Sequence, residues 1–240
     1  MARIERRDPR HAGRARAGRG ASELSPLVVI LAIAGGAWGF ACDRISTRWP
    51  EHDVEEGFLP GRAIGWRTAA CTIIGGAAIG VLPARFDDPA FVAFLVAWFA
   101  ALTLLLATDL DQRLLPDVVT LPLIPIAAVA SVSGFNPLVQ DAFGLIGAVA
   151  VALLLPALLY LLSIPFGAGA IGMGDLKLLV GVGLLAGLVR TIVGVIAGTF
   201  LAGVVIVALI VLRRITLRSY IPFGPFLILG AFWSVLVRFG

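Results

Sequence analysis

From Gly169 to Leu179 the chain reads GAIGMGDLKLL, which places Asp175 and Lys177 directly after a Gly-Met-Gly turn and at the start of an apolar run. The chain has 240 residues, of which 59% are hydrophobic and only 14% are charged. A soluble domain of this length needs far more charge to cover its surface. The composition therefore predicts an integral membrane protein, in which a carboxylate such as Asp175 needs a specific explanation.

Apolar segments separated by charged residues, Pro and Gly predict the membrane helices. A helix that spans a bilayer needs about 20 predominantly apolar residues. The segments lie at 25–42, 66–84, 89–108, 117–134, 142–164, 176–189, 191–212 and 222–238. We therefore expect an all-α polytopic membrane protein of about eight transmembrane helices, without a soluble domain and embedded in the lipid bilayer. The sixth and seventh segments are divided only by Arg190, and Pro122 and Pro125 predict a kink in the fourth.

The remaining parts of the chain carry few chemical signals. Residues 1–23 are rich in Arg and predict a disordered tail, and 24–88 predict two N-terminal helices joined by the loop 43–65. The two cysteines, Cys42 and Cys71, form no CxxC pair, so neither a disulfide framework nor a metal site is predicted. We expect no cofactor and no nucleic-acid partner. Glycines within the helices, at 75–80 and at positions 194, 198 and 203, predict close helix packing.

Carboxylates occur at two places where a membrane protein rarely keeps them without a function. Asp109 lies in ATDLDQRLLPDVVTLPL, Ala107 to Leu123, between the third and fourth segments, and Asp175 lies between the fifth and sixth. Between these two places the chain crosses the membrane twice. Asp109 and Asp175 are therefore expected on the same face of the membrane, whatever the absolute orientation.

Two carboxylates on one face can hydrolyse a peptide without a metal or a protein nucleophile. One acts as general base on a water molecule, and the other, still protonated, acts as general acid. The N-terminus of a helix favours a charged carboxylate, and the C-terminus disfavours one. We therefore expect Asp175, at a helix start, to be the resting base and Asp109, at a helix end, to be the resting acid.

Residues beside the two aspartates receive supporting or structural interpretations. Gly172 and Gly174 lack a Cβ, which allows a positive φ and the close approach of a substrate chain. Lys177 is expected to reach the interface or to steady the charge of Asp175. Two further residues have structural alternatives: Asp111 as the partner of Arg113, and Asp117, after Pro116, as a helix N-cap.

Three blocks then follow one another in a recognisable order. They are DLDQRLLPDVVTLPL (Asp109 to Leu123), GMGDLKLL (Gly172 to Leu179) and IPFGPFLILG (Ile221 to Gly230). Together they resemble the prepilin peptidases, which are type IV leader peptidases and aspartic proteases of the GxGD class. The resemblance covers residues 89–240 and implies that this region is a six-helix peptidase core. It also implies that Asp109 and Asp175 are the two catalytic aspartates.

The resemblance implies a substrate and a location as well. Such an enzyme removes the basic leader of a type IV prepilin or pseudopilin, after a Gly and just before the apolar N-terminal helix. Its active site faces the cytoplasm from the inner membrane, and it serves type IV pilus assembly or protein secretion. Many bacterial members also carry two CxxC pairs after the first helix and N-methylate the product. Here the loop 43–65 has no cysteine, so we expect a peptidase without methyltransferase activity.

Other functions are compatible with part of the pattern. A transporter or channel would also explain eight helices, a proline-kinked helix and intramembrane carboxylates. Its expected pair of broken helices in corresponding halves is not apparent. A presenilin-like protease shares the GxGD ending but carries Pro-Ala-Leu in a late helix, where this chain has IPFGPFL. An assembly scaffold would not need paired aspartates.

Overall fold

The computed structural model describes residues 25–49, 63–166, 171–214 and 223–238, and all regular structure within these ranges is helical. The all-α class is thus confirmed for the described part. The helices are α1 (Pro26–Ser46), α2 (Trp66–Gly80), α3 (Leu82–Arg85), α4 (Pro89–Gln112), α5 (Asp117–Val132), α6 (Ala142–Ser163), α7 (Met173–Ala186), α8 (Leu188–Val211) and α9 (Gly224–Leu236). The predicted tail 1–23 and residues 50–62 of the loop lie outside the described residues.

Each of the eight predicted segments coincides with a helix, and α2 together with α3 forms the second. Among the described residues, five helical stretches are long and apolar enough to cross a membrane, namely Pro26–Ser46, Trp66–Arg85, Pro89–Gln112, Ala142–Ser163 and Leu188–Val211. Helices α5, α7 and α9 have 16, 14 and 13 residues. They are shorter than the roughly 20 residues of a full span. The chain is a multi-pass membrane protein, and eight complete spans remain a prediction.

Two predicted boundaries are wrong for identifiable reasons. The break between α7 and α8 falls at Gly187, where φ is 78°, because glycine adopts this left-handed conformation without steric cost. Arg190 lies instead in the first turn of α8, where its guanidinium donates to the Val237 carbonyl at 2.6 Å. Helix α4 continues beyond the predicted end at residue 108 to Gln112, so Asp109 lies in the last helical turn, at the helix end where it was expected.

Glycines bring α1 against α2 and α8 against α9, as predicted from their positions. A Cβ built on Gly75 would lie 2.7 Å from the Gly35 oxygen, and one on Gly194 would lie 2.5 Å from the Gly230 oxygen. These distances mean that the helix backbones touch directly. The prediction is wrong for Gly203, whose Cβ would meet nothing within 4 Å. Helix α5 remains continuous through its two internal prolines.

Helix α4 lies at the centre of the bundle and contacts α1, α2, α5 and α9. Its fully buried side chains include Phe91, Leu95, Phe99, Leu102 and Leu105. At its C-terminal end, Gln112 Nε2 donates to the backbone oxygens of Ser46 at 2.6 Å and Trp49 at 3.2 Å. These contacts hold the last turn of α4 against the end of α1.

Asn136 fastens the loop after α5 to the end of α7. Its side chain is fully buried, and Nδ2 donates to the Leu185 carbonyl at 2.7 Å and to the Ser131 hydroxyl at 3.0 Å. The Ser131 hydroxyl in turn donates to the Leu184 carbonyl at 2.8 Å. The last carbonyls of a helix lack hydrogen-bond donors within the helix. The side chains of Asn136 and Ser131 provide donors to two of these carbonyls in α7. They thereby anchor the helix that carries Asp175 at its other end.

Replacing Asn136 with alanine is expected to lower the free energy of unfolding by about 1–3 kcal/mol, because buried acceptors lose their donor. The measurement is a denaturant titration in detergent micelles, followed by circular dichroism. Ser133→Ala is the matched control, since this exposed hydroxyl donates to the Ala130 carbonyl of its own helix. Equal stabilities of the two variants would contradict the proposed anchoring role.

Candidate active site

A cleft of about 430 Å³ opens at one end of the bundle, where the three sequence blocks meet. The end of α4 and the following loop form one wall, the start of α7 forms a second, and the start of α9 forms the third. Its lining consists of Asp109, Arg113, Leu114, Leu115, Pro116, Asp117, Gly172, Met173, Gly174, Asp175, Lys177, Phe223 and Gly224. The structure therefore brings both predicted catalytic aspartates to one cavity, whereas the helix count predicted only that they lie on one face.

Asp109 enters the cleft from the last turn of α4. Its side chain is only 5% exposed, and its Oδ2 has no hydrogen-bond partner among the described residues. Arg113 ends the helix in a left-handed conformation, with φ of 56°, and its N–H donates to the Asp109 carbonyl at 3.0 Å. This reversal turns the chain away immediately after the helix. A buried carboxylate oxygen without a partner is costly, which makes Asp109 a candidate functional residue.

Asp175 occupies the third position of α7, after the N-cap Gly172. Its carboxylate lies beside the backbone N–H of the N-cap residue Gly172. The first N–H groups of a helix have no partner within it and carry the positive end of the helix dipole. Asp175 and Asp109 are close enough to interact electrostatically, and the Arg113 charge also acts on Asp109.

The expected positive φ of the Gly-Met-Gly turn is wrong. Gly172 has φ of −65°, and Gly174 is not among the positive-φ residues of the described chain. The structure gives Gly174 a packing role instead. A Cβ at this position would lie 2.7 Å from the Cβ of Leu115 and 3.2 Å from its carbonyl oxygen. The small residue lets α7 start directly against the loop after α4, which brings Asp175 close to Asp109.

Lys177 and Asp117 form an ion pair at the mouth of the cleft. Lys177 Nζ lies 2.6 Å and 2.7 Å from the two carboxylate oxygens of Asp117. The pair joins α7 to α5, so the hydrogen bonds of Lys177 go to Asp117 rather than to Asp175. The prediction of an Asp117 N-cap is wrong, because Pro116 is the N-cap and Asp117 is the first helical residue. Since both partners are partly exposed, we expect little stability from this pair.

Asp111 forms an ion pair with Arg67 of α2, a partner that its neighbours in the sequence did not indicate. The continuation of α4 to Gln112 explains this pairing, because it keeps Asp111 on a helical face that meets α2. The pair links the first two helices to the turn that carries Asp109. Neither Asp111 nor Arg67 lines the cleft. Their ion pair therefore acts on Asp109 only by holding the turn that carries it in place.

Phe223 and Gly224 also line the cleft, although no residue of their block was singled out from the sequence. The block was part of the resemblance, but it contains no charged residue that would mark a site. The only available signal was a Phe-Gly-Pro sequence at the start of an apolar run. Within the described chain no group of three or more His, Cys, Asp or Glu residues is arranged to hold a metal ion.

Comparison with known proteins gives one family and several relatives. The sequence profile of the type IV leader peptidase family matches residues 90–211. Proteins named prepilin leader peptidase/N-methyltransferase are similar to the chain. The Pseudomonas aeruginosa protein is 28% identical over 215 residues, covering 89% of this chain and 66% of the relative. The Aeromonas salmonicida protein is 32% identical over 145 residues, covering 60% of this chain and 48% of the relative.

The chain thus spans about half to two thirds of the length of these relatives. No solved structure matches the chain significantly. The matched range includes both Asp109 and Asp175, whereas Gly224 lies beyond it.

Proposed function

This chain belongs to the type IV leader peptidase family, and from that premise we propose that it is a membrane-embedded aspartic endopeptidase with Asp109 and Asp175 as its catalytic pair. The observation that carries the proposal is their shared cleft, in which a buried Asp109 oxygen has no hydrogen-bond partner among the described residues. Family membership also favours a peptidase over the transporter that the composition alone left open.

The reaction needs only water and the two carboxylates. Asp175 takes a proton from water while the water oxygen attacks the scissile carbonyl carbon, and Asp109 donates its proton to the carbonyl oxygen. Collapse of the tetrahedral intermediate breaks the C–N bond, and a proton from the pair reaches the leaving nitrogen. Two carboxylates in one cleft can share a single proton in this way.

The positions of the two groups in their helices support this division of roles. Asp175 lies beside the Gly172 N–H at the positive end of α7, a place that suits a charged carboxylate. Asp109 lies in the last turn of α4, where the helix dipole opposes a negative charge. Arg113, which follows the helix, provides a positive charge beside the pair as charge develops.

We propose that the substrate is a prepilin or pseudopilin with a basic leader and an apolar N-terminal helix. The leader would lie at the membrane surface, where the Asp117 carboxylate is exposed at the mouth of the cleft. Arg213 and Arg214 follow α8 on the same side of the bundle as the cleft by helix count. The tendency of Lys and Arg to remain in the cytoplasm then favours a cleft that faces the cytoplasm from the inner membrane.

We further propose that residues 89–240 form the peptidase core and that the chain does not methylate its product. The relatives are named as N-methyltransferases as well as peptidases. This chain has two cysteines, and both are buried and free, in α1 and α2. Neither can form the CxxC pairs that the resemblance associates with the additional activity.

Mass spectrometry of the reaction product tests both parts of the proposal. The purified chain in detergent or lipid is incubated with a prepilin-type precursor and S-adenosylmethionine. We expect loss of the leader and a new N-terminus without a methyl group. An uncut precursor would contradict the peptidase function. A product heavier by one methyl group would contradict only the absence of methylation, and a reaction without enzyme is the control.

A further inference from the structure

The first residue of α9, Gly224, is buried directly against the Asp109 carboxylate. A Cβ built on Gly224 would lie 2.4 Å from Oδ2, 2.8 Å from Cγ and 3.0 Å from Oδ1 of Asp109. Distances below 3.0 Å are essentially never seen for real Cβ atoms. The whole carboxylate therefore packs over the bare Cα of Gly224, and any side chain at this position would displace it.

The start of α9 cannot easily move away from this contact. A Cβ on Gly198 of α8 would lie 2.4 Å from the Phe226 oxygen, so the backbone of α8 touches α9 only two residues after Gly224. On the side of α4, the rings of Phe99 and Phe232 pack edge to face with centroids 4.8 Å apart. Close-packed interiors yield little to an added atom. The side chain of Asp109 is thus the component that would have to shift.

One oxygen of the Asp109 carboxylate, Oδ2, is not held by a hydrogen bond from the described residues. The Asp175 carboxylate, in contrast, lies beside the Gly172 N–H at the start of α7. A carboxylate that must transfer a proton needs a defined position, and a misplacement of about 1 Å can reduce the rate about 10²-fold. Contact with the surface of Gly224 gives Asp109 such a position.

We propose that Gly224 is a positioning residue, which holds the Asp109 carboxylate in the orientation that the reaction needs because it presents no side chain. The inference rests on the proposed peptidase function and extends it to the third sequence block. It gives the third block, IPFGPFLILG, a role beside Asp109 and Asp175. It also explains why α9, which lies beyond the matched range 90–211, belongs to the site.

The experiment compares Gly224→Ala with the parent and with Gly203→Ala in the 240-residue chain. Gly203 is the matched control, since its added Cβ would meet nothing within 4 Å. For Gly224→Ala we expect kcat for leader cleavage to fall about 10-fold to 10²-fold, with KM and the melting temperature close to those of the parent. Gly203→Ala should keep the parental kcat. A parental kcat in Gly224→Ala would overturn the proposal, and so would a rise in KM alone.

A stability measurement keeps the proposal testable if Gly224→Ala is too unstable to assay. The added methyl group clashes with the Asp109 carboxylate, so the double variant Asp109→Ala/Gly224→Ala should recover the lost melting temperature. A double variant that melts at the same temperature as Gly224→Ala would overturn the proposed contact between Gly224 and Asp109. This arm needs no enzymatic turnover, so it separates a wrong assignment of Gly224 from a wrong peptidase function, which would appear as an inactive parent.

Discussion

Asp109→Asn is expected to lower kcat for leader cleavage by on the order of 10²–10⁴-fold, which is the usual contribution of a positioned proton-transfer group. The amide has nearly the same shape as the carboxyl group, so the packing against Gly224 is kept. An amide does not take the place of a carboxyl group as a proton donor, so the rate falls while the fold remains. Asp175→Asn should lose activity to a similar extent, because the water then lacks its base.

The measurement is a gel-shift assay of the leader, after co-expression with a prepilin and with the purified variants. Asp88→Asn is the matched control, because Asp88 caps the opposite end of the same helix by accepting the Ala90 N–H at 3.0 Å. Asparagine caps helices about as well as aspartate, so this variant should retain parental activity. Retained cleavage in either Asp109→Asn or Asp175→Asn would reject the catalytic pair.

Gly39→Ala is expected to reduce the free energy of unfolding by about 3 kcal/mol, at the upper end for overpacked interiors. A Cβ on Gly39 would lie 2.1 Å from the Cys71 carbonyl oxygen and 2.6 Å from its carbonyl carbon. Both atoms belong to the α2 backbone, so no side-chain rotation relieves the clash. Helix α1 must separate from α2, and the contacts from Ser46 and Trp49 to the end of α4 weaken with it.

A denaturant titration in mixed micelles, followed by helical circular dichroism, measures the loss. Gly203→Ala is again the control, because its Cβ has free space and alanine is the better helix former by roughly 1 kcal/mol. The two substitutions add the same methyl group, and we expect their effects to have opposite signs. A Gly39→Ala variant as stable as the parent would mean that α1 and α2 lie farther apart than the backbone contact described above.

The positions of the helices could be predicted from the sequence because apolar composition acts locally. Eight predicted segments coincide with helices, since a run of apolar residues in lipid can satisfy its backbone only by forming a helix. The number of helices between Asp109 and Asp175 predicted that they lie on one face of the membrane, and the cleft contains both. Chain length and hydropathy were sufficient for these conclusions, because none of them depends on how the helices rotate.

Partners of individual side chains could not be predicted in the same way. Asp111 pairs with Arg67, 44 residues away, and Lys177 pairs with Asp117, 60 residues away. Each pairing depends on which face of a helix meets which neighbour. The turn glycines were assigned a positive φ, whereas Gly174 is needed for its missing Cβ against Leu115. Sequence spacing contains no measure of that distance.

The sequence determined the membrane class, the approximate helix positions and the shared face of the two aspartates, because these follow from hydropathy and chain connectivity. The tertiary structure added the convergence of α4, α7 and α9 on one cleft and the contact of Gly224 with Asp109. The reason is physical: a charge in an apolar chain is conspicuous in any sequence, whereas an absent Cβ gains meaning only from the atom that occupies the space beside it.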